Sequence, residues 1–118
     1  MDEAYGKISL GRPAVFYLPL DKLNKTLNGD FQRRLESFLL ENYGGFTKKE
    51  GNVSGAWNGG SMIHYDNSIE YKVAFVGKEK IPRLEVELAK MAEELGEEAI
   101  YLETGEDSWL IKPPTQKA

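Results

Sequence analysis

The sequence predicts a single α+β domain of 118 residues. Two segments repeat their apolar residues at helical spacing, and the other segments are rich in β-forming residues or alternate between apolar and polar side chains. The predicted elements follow one another as strand, helix, strand, strand, helix and strand, with a terminal hairpin strand after them. A chain of this length can bury a core without covalent cross-links, and it contains no cysteine.

The first two predicted elements are a strand and a helix. The run from Pro13 to Leu20 is short, apolar and rich in β-formers, whereas residues 1–12 carry little pattern. Asp30 is a favourable N-cap for the helix that follows, and Gly44 tolerates the left-handed conformation in which helices commonly end. The expected helix spans residues 30–42. Its apolar stripe consists of Phe31, Leu35, Phe38 and Leu39.

The central stretch, residues 43–71, holds six of the 12 glycines and the only histidine. Residues 46–57 have no helical period and are interrupted by glycines, which indicates a bent or bulged strand. A glycine turn at residues 58–60 follows, and apolar and polar side chains then alternate through residues 68–76. The two strands are expected to form a long hairpin.

The C-terminal part predicts a helix and two strands. Ile81-Pro82 begins the helix, and Gly96 closes it. Residues 99–103 and 108–112 then read as strands joined by a turn. The apolar positions of the helix are Leu84, Leu88, Met91 and Leu95.

This order of elements is that of the split βαβ, or ferredoxin-like, sandwich, with both helices on one face of the sheet and an extra C-terminal hairpin strand. The ordered core is expected at residues 13–112. The opposite sheet face is expected to carry Tyr17, Tyr71 or their neighbours. Because an uncovered face with aromatic residues usually needs a partner, we expect a homo-oligomer.

Charge and composition argue against several classes of function. The formal net charge is −4 without a basic block, so general nucleic-acid binding is not expected. No apolar run reaches the ~20 residues of a membrane span, and the N-terminus lacks the basic-then-apolar order of a signal peptide, so we expect a soluble protein. The absence of cysteine fits a reducing, cytoplasmic setting. The absence of cysteine excludes iron–sulfur clusters and cysteine-based zinc, and a single histidine excludes a multi-histidine metal site within a subunit.

Glu70 is the main candidate for chemistry, because it lies inside a predicted strand on the face opposite Ile69 and Tyr71. It is either a solvent-facing charge or, if another subunit covers this face, a partly buried carboxylate that demands a cation or hydrogen-bond donors. A positively charged ligand would satisfy it. Trp57 or Tyr65 would then offer an aromatic face for a cation–π contact.

Five short motifs lie along the chain: Ala14-Val15-Phe16-Tyr17, Tyr43-Gly44, Ser54-Gly55-Ala56-Trp57, Glu70 through Val73 and Ala99-Ile100-Tyr101-Leu102. Together they resemble motifs of the phage enzymes that degrade S-adenosylmethionine (SAM), the SAM lyases, long called SAM hydrolases. The resemblance spans roughly residues 13–112. The same residues also resemble a group of small uncharacterised ferredoxin-like domains with Gly-Phe-Thr and Gly-x-Trp patterns.

The resemblance implies a trimer with its sites between subunits and with no metal or cofactor. In the implied reaction the substrate's own carboxylate attacks its γ-carbon and expels methylthioadenosine, leaving homoserine lactone. A strand glutamate and an aromatic hydroxyl matter in the family, and Glu70 matches the glutamate by position. Trp57 falls where the family has a tyrosine, so Tyr65 is the candidate for the hydroxyl. The residues implied to bind substrate are Trp57, Gly55, Ala56 and Tyr43.

Other functions stay open from the sequence. The alternative to the enzyme is a non-enzymatic oligomeric ferredoxin-like module that binds a nucleotide-like ligand or a protein partner through the glycine-rich hairpin. A purely structural or inhibitory phage protein is a third possibility. Convergence of Glu70, Trp57 and Tyr65 on a pocket at a subunit interface would favour the enzyme.

Overall fold

The strands and helices of the described part of the chain follow one another in the predicted order. The computed structural model describes residues 5–19, 23, 30–58, 63–75, 79–105 and 107–114, without the side chains of residues 51–58, 63–67, 75, 107 and 108. The elements are β1 (Arg12–Pro19), α1 (Asp30–Tyr43), β2 (Thr47–Asn58), β3 (Ile63–Phe75), α2 (Lys80–Leu95), β4 (Ile100–Thr104) and β5 (Asp107–Ile111).

The five strands form one sheet in the order β2-β3-β1-β4-β5. Every neighbouring pair is antiparallel. The central strand β1 pairs with β3 along its whole length, from Arg12 opposite Phe75 to Pro19 opposite Ser68. The α+β class and the extra C-terminal hairpin strand are therefore confirmed. Assignment to the ferredoxin-like superfold stays a prediction.

Both helices cover the same face of the sheet, because their apolar stripes and alternate strand residues join one buried cluster. The predicted stripe of α1 is confirmed, with Phe38 packed at the edge of the cluster. Helix α2 buries all four of its predicted apolar positions and Ala92 as well. The strand residues of the cluster are Ala14, Phe16, Leu18, Ile69, Tyr71, Val73, Ile100 and Leu102.

Of the two tyrosines predicted for the uncovered face, Tyr17 lies there and Tyr71 does not. Tyr71 is fully buried on the helical face, where its ring stacks on Phe16 with centroids 5.4 Å apart. Its hydroxyl donates to Glu36 Oε2 at 2.8 Å and accepts from Gln32 Nε2 at 3.1 Å. Because α1 provides these two polar partners, the phenol can enter the core without an unsatisfied oxygen.

Glycines end both helices as the sequence predicts. Gly96 follows α2 at φ 69° and its backbone N–H bonds the carbonyls of Ala92 and Glu93. Gly44 follows α1 at φ 79°, and its N–H bonds the Leu40 carbonyl at 3.1 Å. These positive φ angles strain any residue with a β-carbon.

The β2–β3 hairpin is longer than predicted, since β3 begins at Ile63 instead of Ser68. Its pairing with β2 is interrupted between Lys49 and Val53, which confirms the expected irregularity near Gly51. Among the described residues, positions 63–67 of β3 pair with β2 and not with β1. This end of the hairpin, residues 53–58 and 63–67, is a two-stranded ribbon that extends past β1.

Candidate functional site

The sheet face opposite the helices carries a mixed group of charged and aromatic side chains. Strand alternation places them there, because their neighbours in sequence are buried in the core. No helix of the described part of the chain covers them. We call this surface the open face. Its residues include Val15 and Tyr17 of β1, Glu70 and Lys72 of β3, Tyr101 and Glu103 of β4, Lys49 of β2, which pairs with Glu70, and Leu110 of β5, which pairs with Tyr101.

Glu70 lies near the centre of the open face. It is opposite Tyr17 on β1 and Lys49 on β2, and its side chain is half-buried. Burial is the largest cause that raises the pKa of Tyr17, followed by the charge of Glu70 and a hydrogen bond to it. The Tyr17 phenol therefore stays protonated near neutral pH and acts as a hydrogen-bond donor to the carboxylate.

Strand β4 adds a second tyrosine and a second carboxylate beside this pair. The rings of Tyr17 and Tyr101 are tilted, with centroids 5.8 Å apart. The Tyr101 hydroxyl donates to Glu103 Oε1 at 3.0 Å. The charge of Glu103 also contributes to the raised pKa of Tyr17, so the four side chains form one electrostatic group.

Two carboxylates next to two phenol rings suit a ligand whose positive charge is attached to apolar groups. The carboxylates attract the charge, and the ring faces contact the methyl or methylene groups around it. Sulfonium and quaternary ammonium compounds have this chemistry. The open face is therefore a candidate cation-binding surface.

A groove of about 490 Å³ lies at the edge of the open face. Tyr43, Phe46 and the two glycines between them line one side, and Leu10, Pro13 and Val73 contribute apolar surface. The Tyr43 hydroxyl donates to the Lys80 carbonyl at 3.0 Å. Burial, the largest influence, raises the pKa of Tyr43 to about 12. A phenol held this way presents its ring, and not a phenolate, to the groove.

The predicted site residues lie in three places. Glu70 lies on the open face and Tyr43 in the groove, and Lys72 borders both. Gly55, Ala56 and Trp57 lie on β2, and Tyr65 on β3 pairs with Ala56. The side chains of this third group lie outside the described part, as does the turn at residues 59–60.

Tyr101 and Glu103 are additions that the sequence interpretation did not assign to a site, and Tyr17 was placed on the face without a role. The period-two alternation of their strands could have placed all three side chains on the open face. Each lies between buried residues of β1 or β4, as Glu70 does in β3. The sequence interpretation did not use the strand order, which brings β4 next to β1.

Two general properties of the described residues bear on the class of site. Histidine, aspartate and glutamate side chains do not gather there in groups of three or more that could hold a metal ion. Neither of the helices that the structure describes has the length and apolar character to cross a membrane.

The fold and the open face together define an α+β domain with a candidate site for a cationic small molecule. Two solved structures have a similar fold. One is a phage SAM lyase in complex with S-methyl-5'-thioadenosine, with a TM-score of 0.60 at 15% identity over 95% of each chain. The other is a phage SAM lyase in the apo state, with a TM-score of 0.60 at 14% identity over 98% of this chain and all 100% of the other.

At these identities the likeness to the phage SAM lyases shows a shared fold. No protein-family model matches the sequence, and no curated protein matches it. The function of this chain therefore has to be argued from its own residues.

Proposed function

We propose that this protein is a lyase that degrades SAM, releasing methylthioadenosine and homoserine lactone by intramolecular displacement. The proposal rests mainly on Glu70, a half-buried carboxylate at the centre of the open face. It is supported by the two tyrosine rings next to Glu70 and by the fold shared with phage SAM lyases.

The reaction requires the protein to position the substrate and does not require a proton transfer. An oxygen of the substrate carboxylate bonds to the γ-carbon, the bond from that carbon to sulfur breaks, and its electron pair stays on sulfur. The sulfonium becomes a neutral thioether, and no proton moves. Holding the carboxylate close to the γ-carbon in line with the leaving sulfur supplies most of the acceleration in such a reaction.

Glu70 would bind the sulfonium, with Tyr17 and Tyr101 contacting the groups attached to it. Because the positive charge disappears as the carbon–sulfur bond breaks, this carboxylate holds the substrate more tightly than the products. Its contribution is therefore to orient the substrate and to let the neutral thioether leave. Tyr17 lies across from this carboxylate on β1, and its phenol would orient the carboxylate by donating a hydrogen bond to it.

The remaining residues would complete the site from a neighbouring subunit of a trimer. The ribbon that holds Gly55, Ala56, Trp57 and Tyr65 extends past β1, and a two-stranded ribbon is only marginally stable unless something packs against it. A neighbouring sheet would provide that packing. In this arrangement Tyr65 supplies the hydroxyl that Trp57 lacks, the backbone of Gly55 and Ala56 approaches the substrate, and Tyr43 binds its nucleoside part. We place this enzyme in the cytoplasm.

The test is incubation of the purified protein with SAM, followed by chromatography of methylthioadenosine. Wild-type protein should release it, and Glu70→Gln should abolish the release. Glu93→Gln removes a carboxylate from the exposed side of α2 and should leave the rate unchanged. Full activity in Glu70→Gln would remove Glu70 from the site.

The groove supports one alternative, a module that binds a nucleotide-like ligand without converting it. Tyr43 and Phe46 line the groove, so it offers a place for a flat ring independently of Glu70. Calorimetry separates the two functions. Binding of SAM without any product would favour the module.

A further inference from the structure

Lys72 lies where the open face meets the groove. Its side chain is exposed and lines the groove together with Tyr43 and Phe46. Its neighbours across the sheet are Val15 on β1 and Thr47 on β2, and neither carries a charge. Within the described residues Lys72 forms no ion pair or hydrogen bond through its ammonium group.

This surface carries charges of both signs. The carboxylates of Glu70 and Glu103 lie beside the tyrosine rings, Lys49 lies across from Glu70, and Lys72 lines the groove. Glu70 and Lys72 are two residues apart on the same face of β3, so their backbone positions are separated by roughly 7 Å. A ligand with both a positive and a negative centre matches this arrangement better than a simple cation does.

We propose that Lys72 anchors the carboxylate of the substrate's amino-acid part while Glu70 holds the sulfonium, an inference that rests on the proposed lyase function. The flexible stem of Lys72 lets its ammonium follow the carboxylate. The pair of contacts fixes both ends of the segment that closes into the lactone ring. The structure thereby assigns a selectivity for sulfonium compounds that also have a carboxylate.

The direction of the kinetic effect follows from the charge balance of the reaction. The carboxylate is fully charged in the bound substrate, loses charge as its oxygen bonds to the γ-carbon, and is neutral in the lactone. An ammonium contact is therefore strongest before the reaction and disappears in the product. Lys72 should lower KM without raising kcat.

The experiment compares Lys72→Met with wild type under steady-state conditions with SAM. An exposed charge pair contributes up to about 1 kcal/mol, so KM should rise up to about fivefold while kcat stays the same or rises. Lys72→Arg should restore most of the affinity. Lys90→Met, which removes an equal charge from an exposed position of α2, should leave KM unchanged.

Methylthioadenosine is the second probe, because it lacks both the carboxylate and the sulfonium charge. Its dissociation constant should be the same for Lys72→Met and wild type. An unchanged KM for SAM in Lys72→Met, or an equal weakening of methylthioadenosine, would overturn the anchor while leaving the lyase function intact. Wild-type protein that neither binds nor converts SAM would overturn both.

Discussion

Tyr71→Phe tests the polar contacts behind Glu70. The phenol of Tyr71 lies on the helical face of β3 and is 0% exposed. It donates to Glu36 Oε2 at 2.8 Å, and the same oxygen accepts from Lys48 Nζ at 2.9 Å. Through these contacts the hydroxyl links β3 to α1 and to the start of β2. Phenylalanine keeps the ring in place and removes only the hydroxyl.

The expected cost is about 1.5 kcal/mol in the free energy of unfolding. Hydrogen bonds to charged groups contribute about 1.5–3 kcal/mol. The lower end applies because Glu36 keeps its contact with Lys48 and its side chain is 25% exposed, so water reaches the freed acceptor. The aromatic ring of residue 71 stacks on Phe16 with the ring centroids 5.4 Å apart, and the substitution keeps this contact.

Urea denaturation of wild type and Tyr71→Phe measures this difference. Tyr101→Phe is the matched control, because it removes a hydroxyl that donates to a carboxylate at 3.0 Å from a side chain that is 38% exposed. It should change stability by less than about 0.5 kcal/mol. Equal stability of Tyr71→Phe and wild type, or an equal loss in the two variants, would refute the contribution assigned to the buried contacts.

The helix end and the alkaline stability give two more predictions. Gly96→Ala should cost about 1 kcal/mol in a urea titration because residue 96 has a φ of 69°. Gly45→Ala, with open space around its β-carbon, should change little, and equal effects at the two sites would contradict the backbone argument. The pKa of Tyr43 is raised from 10.0 to about 12, so its contribution to stability is complete below pH 10 and is lost as pH rises toward 12. Tyr43→Phe should therefore lose less stability than wild type between pH 10 and 12, and parallel pH profiles would refute this assignment.

The helices and the class of fold were predictable because local patterns determine them. The apolar stripe beginning at Phe31 and the glycines at 44 and 96 correspond to observed helix faces and ends. The alternation of apolar and polar residues also predicted correctly that Glu70 lies on the sheet face opposite the one that buries Ile69. In each case the signal lies within a few residues of the chain, where spacing alone decides which side is buried.

Two features were not predictable because they depend on contacts between distant residues. The placement of Tyr71 in the core depends on Glu36 and Gln32, which α1 brings over β3. The start of β3 at Ile63 depends on its pairing with β2, because the sequence of residues 63–67 shows no clear alternation of apolar and polar side chains. Sequence spacing does not show either contact.

The candidate site was predictable in part for the same reason. Glu70 was identified from its own strand, whereas Tyr43 was implied by the family resemblance. Tyr101 and Glu103 become part of the site only because β4 lies next to β1 in the sheet. The roles of Trp57 and Tyr65 stay predictions, and they depend on what packs against the ribbon.

The most direct test of the proposed function is the stoichiometry of products from SAM. Chromatography should show methylthioadenosine and homoserine lactone appearing in equal amounts as SAM disappears, without added metal or cofactor. Glu70→Gln should show neither product. Absence of methylthioadenosine with wild-type protein, together with no heat of binding for SAM in calorimetry, would contradict the proposal.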